Sequence, residues 1–415
     1  MSKKVLIISQ NYYPEIGSAA NRIKNMYVEL TARGHQVTVL TSEPSYPNRN
    51  LYKDERFWQD SQLEKDVIRI RTRTRRYSSN IMKRLLLYGE MTYKFLRTIY
   101  RMSDHYDYII ATTPAIFIGL TGLIAKRRLG CPLILDVRDL WPESLLGVGV
   151  FTYKPIIAMA RMLENKLYVE AENIIINSEG FMPHIKSKGI PSDRIRFMPN
   201  SLTEKELLPP VKAERQPGDP IVVIYTGNIG LAQDLEPLIR IAERLKDRED
   251  IRFKIIGYGY RRKGLKQRIQ ELGLTNVTLL KADNRMEATN AVRDADIAFV
   301  SLVKQPVFDT VLPGKMIDYM CMGKPIVGSV SGYAATVLER SESGFASINR
   351  DTDELYEYIV KLASDSRLRA DMGNNGYHFA RNNYRWKENI AVLAEILEKE
   401  YGKENRHVRL EPLYK

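Results

Sequence analysis

LLPPVKAERQPGDP, residues Leu207–Pro220, divides this chain into two halves built to the same plan. Its four prolines and one glycine, set among mixed charges, can continue neither a helix nor a sheet, because proline lacks the backbone donor and clashes with the preceding turn. On either side, short β-rich apolar runs alternate with helical patterns. Before the break, strands are expected at KVLIISQ (4–10), QVTVLTS (36–42), VIRIRT (67–72), YDYIIATT (106–113), LILDVRD (133–139) and NIIINS (173–178). After it they are expected at IVVIYTG (221–227), RFKIIGYG (252–259), NVTLLK (276–281), IAFVSL (297–302), PIVGS (325–329) and GFASI (344–348). A periodic helix, Asn21–Arg33, joins the first two strands and is closed by Gly34. This alternation predicts parallel sheets made of βαβ units. The α/β chain therefore reads as two doubly wound domains in tandem, 1–205 and 206–382, facing a cleft. In such domains ligands sit outside the carboxyl ends of the strands.

Bulk properties agree. At 415 residues the chain exceeds one ordinary core. Apolar residues at 44% and charged residues at 27% suit a soluble globular protein. The two cysteines, Cys131 and Cys321, stand in apolar surroundings without metal-ligand spacing, so inert buried thiols in a reducing compartment are expected. The start, MSKKVLIISQ, runs straight into a strand without the apolar core of a signal peptide. Residues 109–125, IIATTPAIFIGLTGLIA, are short for a membrane span and read better as strand, turn at Pro114 and buried helix. A cytoplasmic protein, peripheral on the inner membrane face at most, is the expectation.

Doubly wound domains invite a dinucleotide-binding reading. GVG (147–149) and GYG (257–259) do not complete the G-x-G-x-x-G turn after a first strand, so that reading is disfavoured. The informative segment is Asp309–Gly328, DTVLPGKMIDYMCMGKPIVG. Pro313 and Gly314 carry turn chemistry, and a helix opening there offers unpaired N–H groups and a positive dipole end to a phosphate. Lys315 adds a cation at the same point. Asp318, one turn further on, can accept hydrogen bonds from a ribose diol. The Met-rich YMCMG stretch reads as core.

The pattern P-G-K-x-x-D-Y-M-x-x-G-K-P (313–325) resembles the donor signature of family-four retaining glycosyltransferases, which have the GT-B fold. It most resembles their fucosamine-transferase-like branch in bacterial surface-polysaccharide assembly. Further matches fall in order: NYYPEIGSAANR (11–22), VRDLWPES (137–144), NSEG (177–180), MPNS (198–201) and YTGNIGLAQDL (225–235). The resemblance implies transfer of a hexosyl-type sugar from a nucleotide-sugar, expected to be UDP-linked, to a lipid-linked or glycan acceptor. It implies retention of configuration, with neither metal nor cofactor. It places the donor against Gly17, Gly227, Asn228, Thr310, Gly314, Lys315 and Asp318. Arg138, Asp139, Asp309 and Lys315 are the candidates for the chemistry.

There are departures from the family. Asp318 replaces the second of its two glutamates, and Thr310, with Asp309 beside it, stands where the first is expected. The arginine and lysine that clamp the diphosphate are absent from GNIGLAQDL, and Lys315 is the expected substitute, with Arg261 and Arg262 behind it. Arg138 replaces a histidine. Two rivals to a transferase are a GT-B nucleotide-sugar epimerase and a non-catalytic subunit of the same fold.

Basic charge is concentrated in the first half. Residues 1–200 hold 30 Lys and Arg against 19 Asp and Glu. Residues 69–101 carry ten basic residues and one acidic residue, Glu90. From Asn80 to Met102 apolar residues recur at helical spacing, with Lys83, Lys94, Arg97 and Arg101 toward another face. This is either a core helix with a solvated face or a surface that meets anionic membrane and a lipid-linked acceptor. Nothing in the sequence marks a nucleic-acid partner. The run Asn383–Tyr401 reads as an amphipathic helix, which in GT-B proteins crosses back to the first domain, anchored here by Trp386.

Overall fold

A computed structural model describes residues 2–46, 48–72, 81–149, 153–207, 218–281 and 285–399, without side chains at 81–85. Most of the dividing stretch and the tail beyond Gly402 lie outside the described residues.

The first domain is a seven-stranded parallel sheet: β1 (Lys4–Ile8), β2 (Gln36–Ser42), β3 (Val67–Ile70), β4 (Tyr108–Thr112), β5 (Leu133–Val137), β6 (Asn173–Ile176) and β7 (Ile195–Phe197). Their order is β3-β2-β1-β4-β5-β6-β7. The second is six-stranded: β8 (Ile221–Thr226), β9 (Ile251–Ile256), β10 (Val277–Leu280), β11 (Ile297–Ser301), β12 (Ile326–Ser329) and β13 (Gly344–Ala346), in the order β10-β9-β8-β11-β12-β13. Both orders reverse at the first strand, which opens a crevice at its carboxyl end.

Strands β4, β5 and β6 are buried on both faces and β1 along most of its length, as their continuous apolar runs require. In β1, Leu6 and Ile8 face a core shared with the Ile81–Arg101 and Ile116–Leu129 helices. Val5 and Ile7 face the other core, closed by the Ser18–Ala32 helix and by Trp386, Ile390, Leu393 and Ile396. The expected single helix at Asn383–Tyr401 is broken. One helix ends at Asn383, the chain is extended at Arg385, and short helices Trp386–Asn389 and Ala391–Glu398 follow. The break lets the chain change domains.

Two segments cross between the domains side by side. Leu202 N–H donates to Tyr384 O (2.9 Å) and accepts at its own carbonyl from Trp386 N–H (3.0 Å). Arg385 pairs with Glu204 (3.0 Å), and Asn389 Nδ2 donates to Ser201 Oγ (2.8 Å). Both cysteines are buried and unpaired. Among the described residues no helix is long and apolar enough to cross a membrane.

Candidate functional site

The site gathers at the carboxyl end of β8. Here the loop after β9 runs so close that a Cβ on Gly257 would lie 1.9 Å from the Gly227 carbonyl oxygen. The glycines of GYG thus serve loop packing beneath the cleft. Above Gly227 (φ 112°) stands Lys315, whose Nζ would be 3.4 Å from a Cβ placed there. The same ammonium lies 3.6 Å from the Tyr225 ring centroid, is buried, and has no hydrogen-bond partner. Burial lowers its pKa to about 7, with Asp318 pulling the other way.

Lys315 belongs to the Gly314–Cys321 helix, whose first turn has no side-chain cap. Opposite it is the Ser18–Ala32 helix, opening after Gly17 (φ 140°) and also without a side-chain cap. A Cβ on Gly314 would sit 3.5 Å from Ser18 Oγ and 3.6 Å from Asn200 Nδ2. Asn200 also donates to Ser18 Oγ at 3.4 Å. Two helix N-termini, one from each domain, therefore face each other beside a buried cation. Such an arrangement favours an anion.

Asp318 is engaged. Its Oδ1 accepts from Arg285 Nη2 (2.9 Å), and Arg285 Nε donates to Glu206 Oε1 (2.8 Å). Glu206 Oε2 accepts from Thr203 N–H and Oγ1 (2.9 and 2.8 Å). A cavity of about 50 Å³ lies along this row, lined also by Thr226 and Val292. Burial opposes the Glu206 charge, but Arg285 and the Thr203 donors outweigh it and lower its pKa.

Asp309 and Thr310 are both bonded within the protein, although the Asp309 side chain stays half-exposed. Asp309 Oδ1 accepts from Ser331 Oγ and from Arg350 Nη2. The Thr310 hydroxyl donates to Val307 O (2.6 Å), and its carbonyl accepts from Ser178 Oγ (2.5 Å) in the NSEG loop of the other domain. Gly180 in that loop packs against the Thr310 backbone, with room for no side chain. Other contacts bridging the cleft are Tyr46 OH to Asn228 Oδ1 (3.0 Å) and Tyr333 OH to Glu179 Oε2 (2.9 Å).

On the first domain, Arg138 and Asp139 follow β5. Arg138 Nε is buried without a partner, and burial lowers its pKa against the pull of Asp136. Burial raises Asp139 to about 6, with Ser144 and the Leu140 N–H opposing. Beneath them Arg22 and Asp136 form an ion pair with no exposed side-chain surface, Nη2 to Oδ1 2.8 Å. Thr112 donates to the same carboxylate (3.1 Å). Glu143 is held by Arg161 at 2.8 Å.

The remaining candidates lie elsewhere. Arg261 and Arg262 donate to backbone carbonyls of Gln233 and Gly257. Lys94 donates to Arg71 O and Glu90. Arg97 and Arg101 line a surface groove of about 440 Å³ with Tyr93, Leu96 and Tyr100 on the Ile81–Arg101 helix. The side chain of Lys83 lies outside the described residues. Among the described residues no three His, Cys, Asp or Glu cluster as metal ligands. Two Asp-x-Asp triplets exist, at 294–296 and 351–353, but Asp296 accepts from Val222 N–H (2.7 Å) and Asp351 from Asp353 N–H (2.8 Å).

Sequence reasoning missed Arg22, Glu206, Arg285 and Tyr46. Arg22 and Asp136 lay inside quoted segments, and a charged residue in the apolar run of β5 was a usable signal. Arg285 and Glu206 had none.

Two Rossmann-like domains facing a cleft make up the GT-B fold. The profile described as "Glycosyl transferase 4-like domain" matches residues 17–201, and that described as "Glycosyl transferases group 1" matches residues 211–379. Together they span both domains, and the chain belongs to the group 1 glycosyltransferases. It is 25% identical over 344 residues to the putative colanic acid biosynthesis glycosyl transferase WcaI of Escherichia coli K12, covering 80% of this chain and 84% of that one. Sucrose-phosphate synthase from Thermosynechococcus elongatus superposes with a TM-score of 0.76 at 16% identity, covering 95% and 98% of the two chains. Anabaena HepE in complex with UDP-glucose superposes with a TM-score of 0.68 at 18% identity, covering 95% and 99%.

Proposed function

We propose that this glycosyltransferase takes a hexosyl-type sugar from a nucleoside diphosphate, UDP in our reading, and passes it to a lipid-linked or glycan acceptor in bacterial surface-polysaccharide assembly. The observation that carries this reading is the buried, unpartnered Lys315 ammonium over the bare backbone of Gly227, flanked by two facing helix N-termini. An ammonium without an acceptor is costly to bury, and a diphosphate supplies the acceptor. The ribose diol falls to Asp318 and the sugar to the segment around Asp309 and Thr310.

The barrier is separation of an oxocarbenium-like sugar from its diphosphate. Lys315 and the Gly314 helix end would stabilise the charge that develops on the leaving group. Retention without a metal follows from the family resemblance. The closed contacts at Thr310 and Asn228 would keep water from the donor. HepE, a neighbour in fold, binds UDP-glucose, which is consistent with this choice of donor.

On the acceptor side we read an anionic membrane surface. Leu86, Tyr93 and Tyr100 are exposed on the Ile81–Arg101 helix, beside Arg97 and Arg101. Met159 and Met162 are exposed on the Lys154–Glu170 helix, and both helices pack against Ile116–Leu129.

A second reading has one observation in its favour. Asp309, the carboxylate beside the first glutamate's place, is already shared with Ser331 and Arg350 through Oδ1, which would suit a donor-binding subunit without turnover. A thermal-shift screen of nucleotide-sugars, followed by product analysis with a lipid-diphosphate sugar, separates them. A donor that raises Tm and is converted to glycosylated product supports the transferase. Tight binding without product or slow hydrolysis would favour the subunit, and an inverted sugar centre on unreleased donor the epimerase.

A further inference from the structure

Resting on the donor reading above, we infer that Arg285 is the positioning residue for Asp318. It holds that carboxylate from the interdomain crossing so that one oxygen is left for the ribose diol.

Asp318 is one methylene shorter than the glutamate its family carries, and a shorter side chain at a helix start has less reach. The structure supplies a brace. Arg285, at the start of the Arg285–Arg293 helix, places Nη2 2.9 Å from Asp318 Oδ1. Its Nε is 2.8 Å from Glu206 Oε1. Nη2 thus lies against both carboxylates, 2.9 Å from Asp318 and 2.8 Å from Glu206, while Nε adds a second contact to Glu206, a planar fork that a lysine could not reproduce. Glu206 is itself fixed at Oε2 by the Thr203 N–H and hydroxyl, and its carbonyl accepts from Cys321 Sγ, so the brace rests on a carboxylate that is already held. Among the described residues no hydrogen bond engages Asp318 Oδ2. That oxygen lies on a half-exposed side chain bordering the cavity between Thr226 and Val292. Arg285 takes one lone-pair side of the carboxylate and leaves the other for a ligand.

This predicts a readout that a general loss of stability would not give. Binding of UDP and of 2′,3′-dideoxy-UDP is measured by calorimetry on the full chain, its Arg285→Ala, Arg285→Lys and Glu206→Gln variants, and Asp318→Asn. The parent should prefer UDP by about tenfold or more, since a site built to bond a hydroxyl rejects the analogue lacking it. Arg285→Ala should lose most of that preference while binding dideoxy-UDP as the parent does. Arg285→Lys and Glu206→Gln should fall between, and Asp318→Asn should resemble Arg285→Ala. Equal weakening of both ligands by Arg285→Ala, or an unchanged preference, overturns the inference. A parent that binds UDP without preferring it overturns the ribose assignment of Asp318. A parent that binds no nucleoside diphosphate in a panel overturns the donor reading itself.

Discussion

Lys315 and Tyr225 form a cation–π contact of 3.6 Å that substitutes for the hydrogen bond the ammonium lacks. Such a contact is worth about 0.5–2 kcal/mol, less than the cost of burying an unpaired cation. A charged Lys315 is therefore held at a cost that a diphosphate, on the reading proposed above, would relieve.

Lys315, with its pKa lowered to about 7, should be largely neutral at pH 8 without donor. A diphosphate favours the charged form, so UDP binding at pH 8 should take up a proton. Affinity should fall as pH rises above 7. Calorimetry in buffers of different ionisation enthalpy measures the uptake, and Lys315→Ala should abolish it while weakening UDP binding about tenfold or more. The unfolded chain binds this proton up to about pH 10.4 and the folded chain only to about 7, so the cost to stability is full below pH 7 and vanishes on going above 10.

Gly180→Ala would drive a methyl into the Thr310 backbone, against its O, Cα and C atoms. The domains must separate there. Turnover should drop by about a hundredfold, as small misplacements do, with UDP affinity within about twofold. Parallel measurement of kcat and UDP binding checks the split.

Arg22→Ala would leave Asp136 charged, buried and short of its partner. Urea unfolding should show a loss of about 3–5 kcal/mol. Removing Asp136 as well should recover part of it, and strict additivity of the two losses would show that the pair is not coupled.

Replacing Arg97 and Arg101 by glutamate should cut sedimentation with phosphatidylglycerol vesicles and make what binding remains less sensitive to salt, since each basic residue near such a surface contributes about 1 kcal/mol. Hydrolysis of soluble donor should stay unchanged. Unaltered vesicle binding would remove the membrane from the acceptor reading.

Much of this was legible in the sequence because parallel sheets buried on both faces leave continuous apolar runs, and twelve strands announced themselves that way. β7 did not, since Ile195–Phe197 is three residues long with arginine at its middle. The break at Tyr384–Arg385 was hidden because apolar spacing continues through it, while the backbone bonds that create it come from Leu202. In the site, Lys315 was readable from Pro313 and Gly314, whose turn chemistry fixes a helix start. Arg285 and Glu206 were not, for their meaning lies in meeting each other and Asp318 across 79 and 33 residues of chain. The internal bonds of the Thr310 hydroxyl and carbonyl were equally unreadable, since their partners Val307 and Ser178 are fixed only by the fold.

The paired crossings at Leu202 and Tyr384–Trp386 act as two pins of one hinge. A single linking strand would let the halves swivel freely, whereas two strands laced together leave one easy axis. Any rocking of one half on the other would then follow that axis, which would bring Gly314 back opposite Ser18 and Thr310 back opposite Ser178.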